Sequence, residues 1–423
     1  MKPSYYNLNI PYKNNLIIYN CLTGSLIFKK GRRIDNLFSK DVFLLKNQGI
    51  MIEDRVDEKT IFKVLFESYK YNNTELEFVV IPTYSCNLNC KYCYEGEKLS
   101  KSMDKPTAKS IIKFIKKTVL AKNSQSFSLR FYGGEPMVNG EIVFYFLEKM
   151  NQFIKQNRIR YSVSIVSNGT LFNHKIIKKL KRYPITLAIT LNGPKSIHDR
   201  NRPFLSGKGT YDQIIKNLLE IKKQNISAYV CINIDKRAYS HVEELLDSLV
   251  AVKLNELPLN FGIILPIRNA CNYPYPASIK LLPKLWQMAV NKGFKMALGM
   301  GLPHSFSYCK QLTANGYTID PEGKLYSCIA LPLDNFLDGE IDSRGNATMS
   351  YNYYKWLARD PLKIDKCRVC KILPLCCGGC PLVLKNIKLD KPACYLKENI
   401  IKTRIKLYLK QNFPERFTQL RVA

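Results

Sequence analysis

The sequence predicts an α/β protein built on a partial (β/α)6 barrel of the TIM-like kind, flanked by a small N-terminal α+β domain and a cysteine-rich C-terminal domain. Three observations carry this. Residues 1–75 hold short alternating segments and one helical pattern. From Leu76 onward, short apolar runs alternate with segments of helical period 3.6. Beyond about residue 300 the periodicity fades, and Gly, Pro and Cys take over.

The first region combines NNLIIYNCL and GSLIFKK with the helical pattern DEKTIFKVLFESYK, and holds no catalytic constellation. The second, expected over 76–300, supplies six strands. They are LEFVVIP (76–82), FSLRFY (127–132), YSVSIV (161–166), ITLAITL (185–191), AYVCINI (228–234) and LNFGIIL (259–265). Amphipathic helices such as TAKSIIKFIKKTVL and YDQIIKNLLEIKK lie between them, so the sheet is expected to be parallel, with its chemistry at the C-terminal strand ends. The third, expected over 301–423, is too irregular to hold itself by an ordinary core. Metal clusters would supply the missing staples.

At 423 residues, with 46% hydrophobic and 23% charged residues, the chain has the composition of a folded domain protein. No apolar run reaches the roughly 20 residues of a membrane span. The start, MKPSYYNLNI, lacks a signal-peptide pattern, which makes the cytoplasm the expected compartment. Lys+Arg number 65 against 34 Asp+Glu, a net charge of +31. Nucleic-acid binding would call for a reading motif, and none is found. IIKTRIKLYLKQNF reads as a packed helix rather than a membrane-surface one. Long-range attraction of an acidic partner and plain compositional bias remain as explanations.

The fourteen cysteines are more informative, because clustered cysteines in a cytosolic protein read as metal ligands or redox groups. Cys21, Cys231 and Cys271 stand alone, and Cys231 sits in an apolar run as a core residue would. Cys86, Cys90 and Cys93 form a CxxxCxxC run just after the first strand. Three thiolates on a four-iron cluster leave one iron open for a substrate or cofactor. A zinc site with its fourth ligand from elsewhere is the alternative. The next strand ends favour the cluster. Gly133-Gly134-Glu135-Pro136 gives close backbone approach and a carboxylate that can pair with an ammonium. Ser167-Asn168-Gly169-Thr170 and Thr190-Leu191-Asn192-Gly193-Pro194 offer hydroxyls and amides to a ribose or carboxylate. Arg202 is suited to bidentate carboxylate binding.

CxxxCxxC with an aromatic before its third cysteine, followed by GGEP, SNGT and TLNGP, resembles the radical S-adenosylmethionine family over roughly residues 76–400. The resemblance implies that Cys86, Cys90 and Cys93 ligate the cluster whose open iron chelates S-adenosylmethionine. Tyr92 would lie by the cofactor. Gly133, Gly134 and Glu135 would hold its amino group, and Thr190 and Arg202 would bind its polar groups. Asn192 departs from the Asp common there.

Downstream, Cys309, Cys328 in GKLYSC, Cys367-x2-Cys370-x5-Cys376-x3-Cys380 and Cys394 resemble the seven-cysteine SPASM extension of peptide-modifying radical enzymes, with a zinc ribbon as the alternative. The resemblance implies two auxiliary clusters, so three [4Fe–4S] clusters in all. One takes Cys309, Cys328 and Cys380, and the other takes Cys367, Cys370, Cys376 and Cys394. The first lacks a fourth protein ligand. Sulfatase-maturing relatives carry one at the position of Asn315, and here Cys271, Cys377 or a substrate group would have to serve.

The resemblance implies a peptide maturase. It would form a thioether, ether or C–C cross-link in a ribosomally made precursor, supplied with electrons by a donor such as flavodoxin or ferredoxin. Residues 1–75 resemble maturase domains that receive a leader peptide by strand addition, and the basic chain suits an acidic leader. An anaerobic sulfatase-maturing enzyme is the alternative, disfavoured by Ile329 where that group carries a basic Asp. A non-catalytic iron–sulfur or nucleic-acid-binding protein would have no need of GGEP, Thr190 and Arg202 around the first cluster.

Overall fold

Strands β6 (Glu75–Val80), β7 (Ser126–Phe131), β8 (Arg160–Ser167), β9 (Ile185–Thr190), β10 (Ser227–Ile234) and β11 (Leu259–Ile263) pair in parallel and in chain order. These are the six expected strands. The computed structural model describes residues 1–30, 42–93, 95, 100–264, 275–297, 302–303, 306, 309–330, 336–384, 388–394 and 396–413.

Alternation along the strands sets their two faces. In β6, Leu76, Phe78 and Val80 enter the large core under the helices, while Glu77 and Val79 face the barrel lumen. Helix α3 (Lys105–Ala121) covers that core with Ala108, Ile111, Ile112, Ile115 and Val119. Asp104 caps it by accepting from the Thr107 amide, and Pro106 stands in the first turn, where no backbone donor is needed. Helices α4 (Gly140–Asn157), α5 (His174–Leu180), α6 (Lys195–Asn201), α7 (Tyr211–Lys223), α8 (Lys236–Ser240), α9 (Val242–Ala251) and α10 (Tyr275–Asn291) complete the units.

The N-terminal region holds an antiparallel sheet of β2 (Asn7–Tyr12), β3 (Asn15–Asn20) and β4 (Leu26–Lys30), a small pair of β1 (Lys2–Pro3) and β5 (Met51–Ile52), and helices α1 (Val42–Asn47) and α2 (Glu58–Tyr71). Its apolar face does not close on itself. Leu8, Ile17, Tyr19, Phe62 and Phe66 share one core with Trp356, Leu373, Leu375, Ile401 and Ile405 from the far end of the chain. Cys21 is buried in that core.

The C-terminal region is more regular than its sequence suggests. β12 (Gly316–Ile319) pairs in parallel with β6, and β13 (Lys324–Tyr326), β14 (Leu337–Ile341) and β15 (Ala347–Met349) extend the same sheet antiparallel. Short helices α11 (Tyr351–Leu357), α12 (Asp365–Arg368) and α13 (Leu373–Cys376) carry the cysteine segment. The terminal helix α14 (Glu398–Asn412) buries Ile400, Ile401, Ile405, Leu407 and Leu409, so the basic amphipathic stretch is a packed helix. Among the described residues, no helix is long and apolar enough to cross a membrane.

Candidate functional site

A cavity of about 640 Å³ opens at the C-terminal end of the barrel. Cys86, Cys90 and Cys93 line one part of its wall, and Cys309, Cys328 and Cys380 another. Both cysteine groups therefore face one space.

The first loop is stitched on two sides. Toward β8, Asn168 Nδ2 donates to Asn87 Oδ1 (2.8 Å) and Asn87 Nδ2 to Thr170 Oγ1 (2.9 Å). Toward α6, the amides of Asn89 and Lys91 donate to the carbonyls of Pro203 and Asn201 (2.8 and 3.0 Å). Leu88 is fully buried between these attachments. The loop's thiols are thus presented by backbone that is already satisfied.

Gly133 and Gly134 line the cavity, but the close approach they permit is to the protein itself. Gly133 has φ +127°, and a Cβ there would stand 2.5 Å from the Thr83 carbonyl oxygen. A Cβ at Gly134 would strike the carbonyls of Tyr84 and Ser85. The strand that leads into the cysteine loop runs directly over this turn.

The Glu135 side chain has partners within the protein. Its carboxylate turns away from the cavity wall and is fully buried. It accepts from Ser167 Oγ (2.8 and 3.0 Å), the Asn168 amide (2.7 Å) and the Met137 amide (3.1 Å). Burial pushes its carboxyl above the usual range, against the pull of these donors. In this structure Glu135 joins the β7 and β8 turns. The sequence gives no sign of this, because the three donors only converge once the strands pair. Ser167 and Asn168 remain on the cavity wall, with Thr190 opposite.

Tyr92 is locked from above. Arg202 Nη1 donates to its hydroxyl (2.7 Å), as does Asn192 Nδ2 (2.5 Å). Desolvation pushes the phenol up to about 12, with the Arg202 guanidinium pulling the other way. Arg202 is buried, and its Nε has no hydrogen-bond partner among the described residues, while the side chain borders the cavity. An orphaned guanidinium N–H beside three thiols fits a ligand carrying a carboxylate.

Sequence reasoning missed His198 and Arg359. His198 Nδ1 accepts from the Asn192 amide (2.9 Å), and its Nε2 meets Thr210 Oγ1 (3.0 Å). Thr210 Oγ1 in turn donates to the Arg202 carbonyl (2.8 Å). This fixes His198 as the neutral Nε2–H tautomer. Arg359 is buried and donates to the carbonyls of Cys377 (3.1 Å), Gly378 (2.7 Å) and Leu389 (3.1 Å), holding the turn between Cys376 and Cys380. Neither residue belongs to a recognisable motif.

Among the remaining cysteines, Cys309, Cys328 and Cys380 line the cavity, while Cys367, Cys370, Cys376 and Cys394 do not. Burial, then the neighbouring Cys309 and Cys380, push the Cys328 thiol up. Burial, then Cys370, Cys367 and Cys394, push Cys376 up to about 12. Ala393, beside Cys394, donates to the Gly378 carbonyl (3.1 Å). Cys377 is fully buried, its thiol directed at the Pro374 carbonyl (3.7 Å) and away from the cavity. Cys271 lies outside the described residues. Among the described residues, no three His, Cys, Asp or Glu side chains are drawn together as tightly as a single metal ion requires.

A partial parallel barrel whose strand ends surround a three-cysteine loop defines a class of radical enzymes. Residues 80–249 match the family model described as the radical SAM superfamily, so this part of the chain is a radical SAM domain, and the match supports S-adenosylmethionine and a [4Fe–4S] cluster as its cofactors. The chain is 29% identical over 184 residues to an uncharacterized protein of Methanocaldococcus jannaschii, covering 44% of this chain and 61% of that one. It is 21% identical over 406 residues to the radical SAM cyclopropyl synthase TigE of Paramaledivibacter caminithermalis, covering 88% and 82%. It is 24% identical over 336 residues to a cysteine-type anaerobic sulfatase-maturating enzyme of Clostridium novyi, covering 72% and 87%. In fold it is similar to native anSMEcpe with bound AdoMet (TM-score 0.59, 20% identity, 82% and 98% covered). It is also similar to Streptococcus suis SuiB bound to precursor peptide SuiA (TM-score 0.57, 15% identity, 92% and 98% covered).

Proposed function

We propose that this chain is a peptide maturase that forms an oxidative cross-link, a thioether, ether or C–C bond, in a ribosomally made precursor. The observation that carries the reading is the shared cavity, with Cys86, Cys90 and Cys93 on one wall and Cys309, Cys328 and Cys380 on another. Oxidative coupling removes two hydrogens, so the site must take one hydrogen atom, one electron and one proton from the same substrate. Two cysteine groups around one space suit the first two removals.

Cys86, Cys90 and Cys93 hold the [4Fe–4S] cluster that takes S-adenosylmethionine. When bound, the pair supplies a 5′-deoxyadenosyl radical that removes hydrogen from an unactivated C–H bond. Arg202 offers its free Nε–H to the cofactor's carboxylate. Thr190, Ser167 and Asn168 present hydroxyl and amide groups to its other polar atoms, and the Gly133–Gly134 turn gives backbone groups. Cys309, Cys328 and Cys380 hold one auxiliary cluster, and Cys367, Cys370, Cys376 and Cys394 the other. In the described N-terminal sheet β2 and β4 are the edge strands, where a leader peptide would add, and the charge of +31 favours an acidic one. Likeness to the cyclopropyl synthase TigE and to SuiB with its precursor peptide supports a peptide substrate.

The test is anaerobic co-expression with the small open reading frame encoded beside the gene, followed by accurate mass of that peptide. Loss of two hydrogens per modified site, with fragment ions missing between the linked residues, is the expected result. An unchanged mass for a peptide that binds the protein overturns the reading.

The likeness to sulfatase-maturating enzymes favours a second reading, formylglycine formation. Ile329, an apolar residue on the cavity wall, stands against it. A hydrazide-reactive aldehyde on the modified peptide would decide for this second reading.

A further inference from the structure

We propose that Glu77 is the catalytic base of the coupling, held in place by Arg130. The inference rests on the maturase reading. Forming a C–X bond from a C–H and an X–H group needs three acceptors. The carbon's hydrogen atom goes to the 5′-deoxyadenosyl radical. The nucleophile X then bonds to the carbon radical, its proton must be taken up by a base, and the surplus electron passes to the auxiliary iron–sulfur cluster assigned to Cys309, Cys328 and Cys380. The first and third acceptors have their cysteines on the cavity wall. The proton acceptor must face the same space.

Few side chains qualify. Among the described residues that line the cavity there is no histidine. Lys310 Nζ is held over the Tyr69 ring at 5.0 Å and lies 3.7 Å from Glu75. Tyr92 is locked by Arg202 and Asn192. Two carboxylates line the cavity, Glu77 and Glu95. Glu95 follows Cys93 by two residues and is buried in the cysteine loop, on the side of the first acceptor.

Glu77 stands elsewhere. The alternation of β6 turns it into the lumen, and its amide donates to the Asn315 carbonyl (2.8 Å). The segment that carries Cys309 and enters β12 is therefore tied to Glu77's own strand. On its other side Arg130 of β7, 44% exposed into the lumen, meets Glu77 Oε1 at 3.3 Å. One guanidinium contact fixes the carboxylate, and Glu77 borders the cavity. A base beside the electron acceptor also lets proton and electron leave the substrate in the same direction. No charge is then stranded in an apolar cavity, where it would be costly.

The test uses Glu77→Gln enzyme, reconstituted anaerobically, with the co-expressed peptide deuterated at its modified carbon. Deuterium transfer into 5′-deoxyadenosine should stay within about twofold of wild type. Cross-linked product should fall by at least about 100-fold, the usual contribution of a general base. Freeze-quenched samples should accumulate an organic radical signal absent from wild type. Arg130→Gln should lower kcat with the peptide KM unchanged, and Arg130→Lys should restore it. Cross-linking by Glu77→Gln at the wild-type rate overturns the proposal, as does loss of product with no deuterium transfer despite full iron content, which marks a structural role. Absence of deuterium transfer or cross-link in the wild-type enzyme defeats the maturase reading itself.

Discussion

Asn192 and Tyr92, one hundred positions apart, are joined by a 2.5 Å hydrogen bond from the amide nitrogen to the phenol oxygen. Asn192 Oδ1 also accepts from the Asn233 amide (2.9 Å), so one fully buried side chain ties the cysteine loop to the end of β10.

Asn192→Ala leaves the Asn233 amide and the Tyr92 hydroxyl short of a partner inside the site. Such a loss costs about 1–3 kcal/mol. S-adenosylmethionine affinity should fall about tenfold, measured by equilibrium binding to reconstituted enzyme. Asn192→Asp keeps the acceptor for Asn233 and can accept from Tyr92 and Arg202, so its loss should be smaller than that of Ala.

Glu135 gives a prediction of the opposite kind. Its carboxylate satisfies three donors with no ligand present. Glu135→Gln turns an amide N–H toward those donors, a buried mismatch of about 2–4 kcal/mol. Denaturant unfolding without S-adenosylmethionine should show that loss. If Glu135 acted only on the cofactor's amino group, cofactor-free stability would be unchanged.

The strands and the cysteine loop were legible because apolar periodicity and thiol spacing are local signals. All six barrel strands match their expected positions to within two residues at either end. What joins them was not legible. Glu135 reads as a ligand group until β7 and β8 pair and bring Ser167 and Asn168 to it. β12 to β15 escaped notice because strands of three to five residues carry too few alternations to register, and pairing with β6 supplies their order. The N-terminal region looked separate because its helix and strands are locally regular, yet Phe62 and Phe66 share one core with Ile401 and Ile405 from the far end of the chain.

His198 predicts a pH dependence. It is fully buried, and burial, then the charges of Arg202 and Lys195, hold its pKa well below the ordinary 6.5. As pH falls through 6.5 the unfolded chain takes up a proton that the folded chain refuses. The unfolded state then binds more protons, and folding stability declines from about pH 6.5 downward, with no such contribution above it. His198→Gln removes this component. Its melting temperature should change less than wild type between pH 7.5 and 5.5, whatever its absolute stability.

Arg359 holds the turn between Cys376 and Cys380 through one side chain. Its guanidinium bonds the carbonyls of Cys377 and Gly378, inside the turn whose ends are Cys376 and Cys380. Those two cysteines fall in different proposed cluster sets, so the turn's geometry would set both at once. A lysine cannot reproduce three donors in a planar fork. Arg359→Lys should therefore lose iron from both auxiliary sets together, from about twelve irons per chain to about four if each set holds a four-iron cluster. The cluster proposed at Cys86, Cys90 and Cys93 is carried by a loop stitched instead to residues 168–170 and 201–203. Its spectroscopic response to S-adenosylmethionine should persist in the same samples. Loss of only one auxiliary set would show that the turn acts on Cys376 and Cys380 separately.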